Sequence, residues 1–279
     1  AANEGATLPY TTTGDWATDG VNFVLLGDDV LRQELAGAGG ADKLGFDPDI
    51  NYGPQTVGQE LVALRYQLQQ SQIPAHKPEN YYLPEDGADY YPAFLRMISA
   101  INSEKSGVIV LEPGKTYLLD QYITPTNGVA PLRLLRLRAL HIQGNGATLL
   151  FKGDYHRYGA NDVGLSLWIE DTKNVIIENL TCDGQVHLTT REPGLIEGSG
   201  SGLHVRGGEN HYYINVHMIR HSCDGFQITN NRQSTVWDVV HRTTMINCTA
   251  LYNARQGVSV IAGVQLLAFN CRFSETGQA

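Results

Sequence analysis

Two aspartates stand in matching settings, Asp183 in Cys182-Asp183-Gly184 and Asp224 in Cys223-Asp224-Gly225, with the glutamates Glu192 and Glu197 between them. Carboxyl groups paired across a substrate, roughly 5 to 10 Å apart, are what hydrolysis of a glycosidic bond requires. Aspartate before glycine is also a common turn former, so the pair fits either role. A second set suits proton abstraction. His204 lies two residues before Arg206, and Arg255 sits in Asn253-Ala254-Arg255-Gln256-Gly257. An imidazole can take a proton from the carbon beside a carboxylate while a guanidinium neutralises the developing charge. His187, His204, His211, His217, His221 and His241 show no metal-binding spacing, and neither metal nor other cofactor is expected.

These residues need a frame, and a repeat supplies one. Glycine, apolar, variable, apolar recurs at Gly164-Leu165-Ser166-Leu167, Gly202-Leu203-His204-Val205, Gly225-Phe226-Gln227-Ile228 and Gly257-Val258-Ser259-Val260. Between these fall Asn179-Leu180-Thr181-Cys182, Asn215-Val216-His217-Met218, Asn247-Cys248-Thr249-Ala250 and Asn270-Cys271-Arg272-Phe273. Short strands with period-two alternation, recurring at intervals with a minimum of 23 residues from Gly202 to Gly225, predict a parallel β-solenoid whose longer turns carry loops. Asparagines at equivalent corners can bond along the column and satisfy buried turns. A β-sandwich with chance repeats is the competing reading, and the strict alternation of both phrases argues against it.

Parallel rungs lie about 4.8 Å apart, so carboxylates on neighbouring rungs reach the separation hydrolysis needs. In the glycine phrase the third residue points outward, predicting one column of Ser166, His204, Gln227 and Ser259 and a second of Trp168, Arg206, Thr229 and Ile261. Trp168, Arg206, Gln227 and Ser259 are therefore the candidate substrate-binding residues, and Asp183, Asp224, Glu197, His204 and Arg255 the candidate catalytic ones. An aromatic face covers a sugar ring, and arginine pairs with carboxylates. Residues 154–162 and 185–201 read as loops projecting from the rungs, where binding residues commonly sit.

The composition excludes several classes. Of 279 residues, 42% are apolar and 18% charged, with no apolar run long enough to cross a membrane, and the net charge of −9 argues against a nucleic-acid surface. All four cysteines, Cys182, Cys223, Cys248 and Cys271, fall in the repeat, and the three within the asparagine phrase, Cys182, Cys248 and Cys271, read as small buried hydrophobes, which points to synthesis in a reducing compartment. No secretion signal is visible in residues 1–9.

In chain order, residues 1–26 read as an extended segment with a short strand near its end, and 27–89 as a helical connector and linker. Within the connector, Asp28 and Asp29 open a helix, and a second over residues 56–70 aligns Val57, Leu61, Leu64 and Leu68. Residues 90–279 then read as a capping helix and the repeat. Arg133, Arg136 and Arg138 alternate with leucines as a basic strand over residues 132–140. The repeat stops at Gly277-Gln278-Ala279 as another strand would begin, the pattern of a C-terminally incomplete shaft.

The wording LRQELAGAGGADKLGF, residues 31–46, followed by TVGQEL, residues 56–61, resembles the segment joining head to shaft in bacteriophage tailspikes and tail fibres. A helix, then GVIVLEPGKTYLL and LHIQGNGATLLF, resembles the cap and first coils of the pectate-lyase-like β-helix superfamily. The usual tailspike run of aspartate, phenylalanine and glycines is replaced here by Tyr82-Leu83-Pro84-Glu85-Asp86-Gly87. The resemblance implies a mostly β protein with a right-handed parallel β-helix, a homotrimer in the virion tail, bound to other tail proteins through its N-terminal segment. It also implies that the protein binds and depolymerises a bacterial surface polysaccharide, by hydrolysis or elimination. A bacterial polysaccharide lyase, hydrolase or epimerase on the same scaffold, and a non-enzymatic adhesive fibre, are the alternatives. No nucleic acid or membrane is expected as a partner.

Overall fold

The computed structural model describes residues 73–195, 200–230 and 240–277, and the short strands Ala2–Asn3 (β1) and Phe23–Val24 (β2). The chain divides into two compact units, Ala1–Tyr66 and Gln67–Ala279. In the first, β1 and β2 pair antiparallel. The expected helices over residues 28–35 and 56–70 lie outside the described residues.

The second unit is mostly β, with a large parallel sheet. Its elements begin with β3 (Ala75–His76), α1 (Tyr91–Glu104), β4 (Ser106–Val110), β5 (Thr116–Leu119), β6 (Tyr122–Ile123) and β7 (Leu132–Leu135). Next come β8 (Ala139–Phe151), β9 (His156–Arg157), β10 (Val163–Gly164), β11 (Leu167–Asp183), β12 (Thr190–Arg191) and β13 (Leu203–Ile219). The last are β14 (Phe226–Thr229), β15 (Val240–Ile246), β16 (Thr249–Leu251), β17 (Val258–Val260), β18 (Gly263–Phe269) and β19 (Arg272–Ser274).

The long strands bend, so each successive stretch joins a different ladder. In the first ladder, β7, the start of β11, the start of β13, β14 and β17 pair in parallel. The second runs through β3, β4, the start of β8 and the middle parts of β11 and β13 to β15 and β18. The third takes β5, the ends of β8, β11 and β13, then β16 and β19. The chain visits the ladders in this order on each pass.

Alternation along each short strand sends one set of side chains inward. Leu132 and Leu134, Leu167 and Ile169, Leu203 and Val205, and Phe226 and Ile228 form buried columns of the first ladder. Each fully buried aliphatic side chain contributes about 1.5–3 kcal/mol of transfer free energy, realised only when the next strand covers it. Cys182 and Cys248 are buried as expected, Cys271 is only partly buried, Cys223 is buried as well, and all four are free thiols.

The corners between second and third ladders are made by asparagine in the left-handed region, Asn179 at φ 53°, Asn215 at 54°, Asn247 at 52° and Asn270 at 48°. Asn215 Nδ2 donates to Asn179 Oδ1 at 2.9 Å, and Asn270 Nδ2 to Asn247 Oδ1 at 2.8 Å. Two bonded pairs of the expected asparagine column are thus present. Asparagine suits both demands, since its short amide tolerates positive φ and carries a donor and an acceptor.

The helix expected ahead of the repeat is α1. It buries Tyr91, Ala93, Phe94, Met97, Ile98 and Ile101 and ends at Lys105, whose φ of 62° reverses the chain into β4. A Cβ on Gly107 would stand 2.8 Å from Ile101 Cγ2, so only glycine lets the helix lie this close to the strand. Asn102 completes the closure: its Oδ1 accepts from Leu135 N and its Nδ2 donates to Arg133 O, both at 2.8 Å. A side-chain amide thereby satisfies the edge of β7 where another strand would otherwise pair.

Two readings of the sequence are corrected. The proline-rich stretch before α1 is built into the fold: β3 pairs with β4, and Pro78–Tyr81 and Pro84–Asp86 form 3-10 turns. The basic stretch over residues 132–140 is two strands, because the chain turns at Arg136, with φ 53°.

Candidate functional site: the outward face of the first ladder

The first ladder's outward side chains are set by its register. Trp168 pairs with Arg133 on one side and His204 on the other, His204 with Gln227, and Gln227 with Ser259. The neighbouring column is Leu135, Glu170, Arg206 and Thr229. This corrects the columns expected from the glycine phrase. Leu167, not Leu165, pairs with Leu203, so Gly164 is not the counterpart of Gly202. Ser166 is buried, while Trp168 moves beside His204 and brings Glu170 beside Arg206. Ile261 follows β17, exposed, its N donating to Ile228 O at 2.8 Å.

Trp168 is the centre of this face. The Arg206 guanidinium lies over its ring, 5.4 Å from the centroid, and the His204 ring meets it edge-on at 4.8 Å and 64°. Glu170 is buried beneath the cations: Oε2 accepts from Arg133 Nε at 2.8 Å and lies 2.6 Å from Arg133 Nη2 and 3.8 Å from Arg206 Nη1. One carboxylate between two guanidiniums leaves the local charge positive, although the chain as a whole is acidic. Ser201 Oγ donates to Gln227 Oε1 at 3.0 Å, and Ser259, buried rather than open to a ligand as expected, donates its hydroxyl to Gln256.

His204 is half-buried among these groups. Burial, with a smaller contribution from Arg206, lowers its pKa to about 4, with Asp224 opposing the shift. The imidazole is therefore neutral at pH 7. Its Nε2 lies 3.3 Å from Thr229 Oγ1, which itself donates to Val205 O, so Nε2 carries the proton. Nδ1 is then the bare nitrogen, buried and without a hydrogen-bond partner.

The sequence-proposed acids occupy the turns that lead back into this ladder, and each is clamped. Asp183 takes Arg220 Nε on Oδ1 at 2.9 Å, pairs through Oδ2 with Arg220 Nη2, and accepts Gln185 N. Asp224, fully buried, takes Arg255 Nε at 2.8 Å and Nη2 at 2.6 Å. Both oxygens of each carboxylate are engaged, the geometry of a structural ion pair rather than of an acid facing a substrate. The expectation for Arg255 changes with them, because its guanidinium fork is directed at Asp224 and not outward. Glu197 lies outside the described residues.

Close packing explains the glycines of these turns. A Cβ on Gly202 would meet His221 Nε2 at 2.5 Å. His221 is buried, donates from Nε2 to Cys182 O at 3.1 Å, and is anchored through its backbone N to Asn253 Oδ1 at 2.9 Å. Glu170 and Arg220 were missed by sequence reading. Alternation through Leu167-Trp168-Ile169-Glu170 held the signal for Glu170, and a two-residue misregister hid it.

No protein-family profile and no curated protein matches this chain. Among solved structures it is similar to a protein assigned as a glycosyl hydrolase from Parabacteroides merdae ATCC 43184, at 15% identity and TM-score 0.41, covering 71% of this chain and 96% of that one. The A-module of a mannuronan C-5 epimerase from Azotobacter vinelandii gives 17% identity and TM-score 0.40, over 73% of this chain and 58% of that one. A mutant tailspike protein of E. coli bacteriophage HK620, in complex with a pentasaccharide, gives 12% identity and TM-score 0.25, over 89% and 56%. The chain thus spans a little over half the length of the last two.

Proposed function

We propose that this protein binds an extended acidic polysaccharide along the outward face of the first ladder and depolymerises it there by β-elimination. The observation that carries the reading is the grouping of Trp168, Arg206 and His204 on adjacent outward positions. The indole covers the apolar face of a sugar ring, and Arg206 with Arg133 draws a uronate carboxylate to its edge. Elimination is favoured over hydrolysis because Asp183 and Asp224 are tied in bidentate ion pairs, whereas the neutral imidazole of His204 adjoins a guanidinium.

In that step His204 removes the proton on the carbon beside the uronate carboxylate. The freed electron pair forms a double bond to the next ring carbon as that carbon's bond to the glycosidic oxygen breaks, and the departing oxygen takes a proton from water. Arg206 stabilises the negative charge that builds on the carboxylate. A second reading, binding without cleavage, is favoured by the buried Nδ1 of His204, which does not face a ligand in this conformation.

We further infer that the three ladders form a right-handed parallel β-helix, and that the protein is a tailspike-like homotrimer mounted in a virion tail through its N-terminal segment. The successive passage through three parallel ladders supports the first inference, and the phrases at residues 31–46 and 56–61 support the second. A bacterial lyase, hydrolase or epimerase of the same architecture is the alternative setting for the same site. The test is affinity electrophoresis of the protein and of Trp168→Ala in gels containing bacterial capsular polysaccharides. Retardation by an acidic polymer that Trp168→Ala abolishes is expected. Equal retardation of both proteins removes this face from the account.

A further inference from the structure

We propose that the paired loops between the third and first ladders carry a second saccharide subsite, in which a pyranose ring stacks on the face of Tyr158. The proposal rests on the polysaccharide reading above and adds a site that neither the repeat nor the first-ladder face contains. Tyr158 is 74% exposed, an unusual position for so large an aromatic ring, and the surrounding loop holds it in place.

The two loops expected to project independently are joined. β9 pairs with β12 in parallel, Thr190 N donating to Tyr155 O at 3.1 Å and Glu192 N to Arg157 O at 3.0 Å. Beneath them Tyr155 is buried and stacks on Tyr122, with centroids 4.3 Å apart and planes 14° from parallel. The backbone at Tyr158 is pinned by Asp162, whose Oδ2 accepts Tyr158 N at 2.9 Å and Gly159 N at 3.0 Å. Arg157, buried, donates from Nε to Asp162 O at 2.7 Å.

The ring itself is steered from one edge. His156 meets Tyr158 at 4.5 Å and 62°, and both of its nitrogens are engaged, Nδ1 by Thr190 Oγ1 at 2.8 Å and Nε2 by Glu192 Oε1 at 3.1 Å. One ring edge is therefore occupied. A tyrosine on such a fixed loop offers broad apolar area at small entropic cost on binding, the property of a stacking platform. The half-exposed carboxylate of Glu192 beside it can accept from sugar hydroxyls. A pyranose ring, with one apolar face and equatorial hydroxyls at its rim, matches that pairing of groups.

The test uses a printed array of bacterial capsular and O-antigen polysaccharides, then calorimetry with the polymer bound. Four proteins are compared: the unmodified chain, Trp168→Ala, Tyr158→Ala and Tyr158→Phe. Tyr158→Ala is expected to weaken polymer binding about tenfold, and Tyr158→Phe less than about twofold. If Trp168→Ala weakens binding and Tyr158→Ala does not, the subsite is wrong while the proposed function stands. Binding by the unmodified chain to no polysaccharide on the array overturns both. Because the ring is exposed, the Tyr158 variants should unfold with the unmodified protein's midpoint, and a loss shared equally by Ala and Phe contradicts the stacking role.

Discussion

Arg206 and Arg255 carry the same charge and have opposite prospects. Arg206 lies over Trp168 in the outward column with a loose 3.8 Å contact to Glu170, whereas Arg255 closes in a bidentate pair on the buried carboxylate of Asp224. Arg206→Ala should weaken acidic-polymer binding about tenfold with little change in unfolding midpoint, measured by calorimetry and urea titration. Arg255→Ala should instead cost on the order of 2–3 kcal/mol of stability. That is less than the cost of breaking a fully buried pair, because the Arg255 side chain keeps 33% of its surface in water. The histidines add a pH dependence. Burial lowers His211 and His221 to about 4, against an ordinary value of about 6.5. As pH falls below 6.5 the unfolded chain takes up protons that the folded imidazoles refuse, so stability present at neutral pH is lost progressively down to about pH 4. Each imidazole accounts for roughly 3 kcal/mol of that loss. Urea midpoints measured across this window should fall, and His211→Gln should shrink the fall. A flat profile would contradict the burial of these rings.

At the scale of elements, the corner asparagines decide how the ladders follow one another. Asn215→Ala should destabilise by about 1–3 kcal/mol, since it loses the bond to Asn179 and places alanine at φ 54°. Asn215→Gly should recover part of the loss, because glycine tolerates the backbone but restores no bond. Equal midpoints for the Ala and Gly variants would show that backbone strain is absent there. These corners were legible in the sequence because asparagine, apolar spacing and a fixed position in the pass all coincide. The cap was legible for the same reason, from the apolar stripe of Phe94, Ile98 and Ile101. The first-ladder register was less so: Gly164-Leu165-Ser166-Leu167 imitates the phrase, yet Leu165 lies before the strand. The pairing of the two loops through His156 and Thr190 had no local signal at all, since it joins strands of two residues each. The clamps on Asp183 and Asp224 were equally hidden, because their arginines lie 37 and 31 residues away.

At the largest scale, the parallel ladders of the second unit hold its buried columns apart from its outward face and loops. The inward columns hold the fold, while the outward face and the loops are free to vary in chemistry. The measurement that bears most directly on the proposed activity is incubation of the chain with uronic-acid-containing bacterial polysaccharides, following fragment size by chromatography and ultraviolet absorbance of unsaturated ends together. Shortening accompanied by new absorbance, and abolished in His204→Gln while the fold is retained, is the expected result. Shortening without absorbance, or undiminished in His204→Gln, would mean that the chemistry belongs to other residues than the Trp168, His204 and Arg206 face.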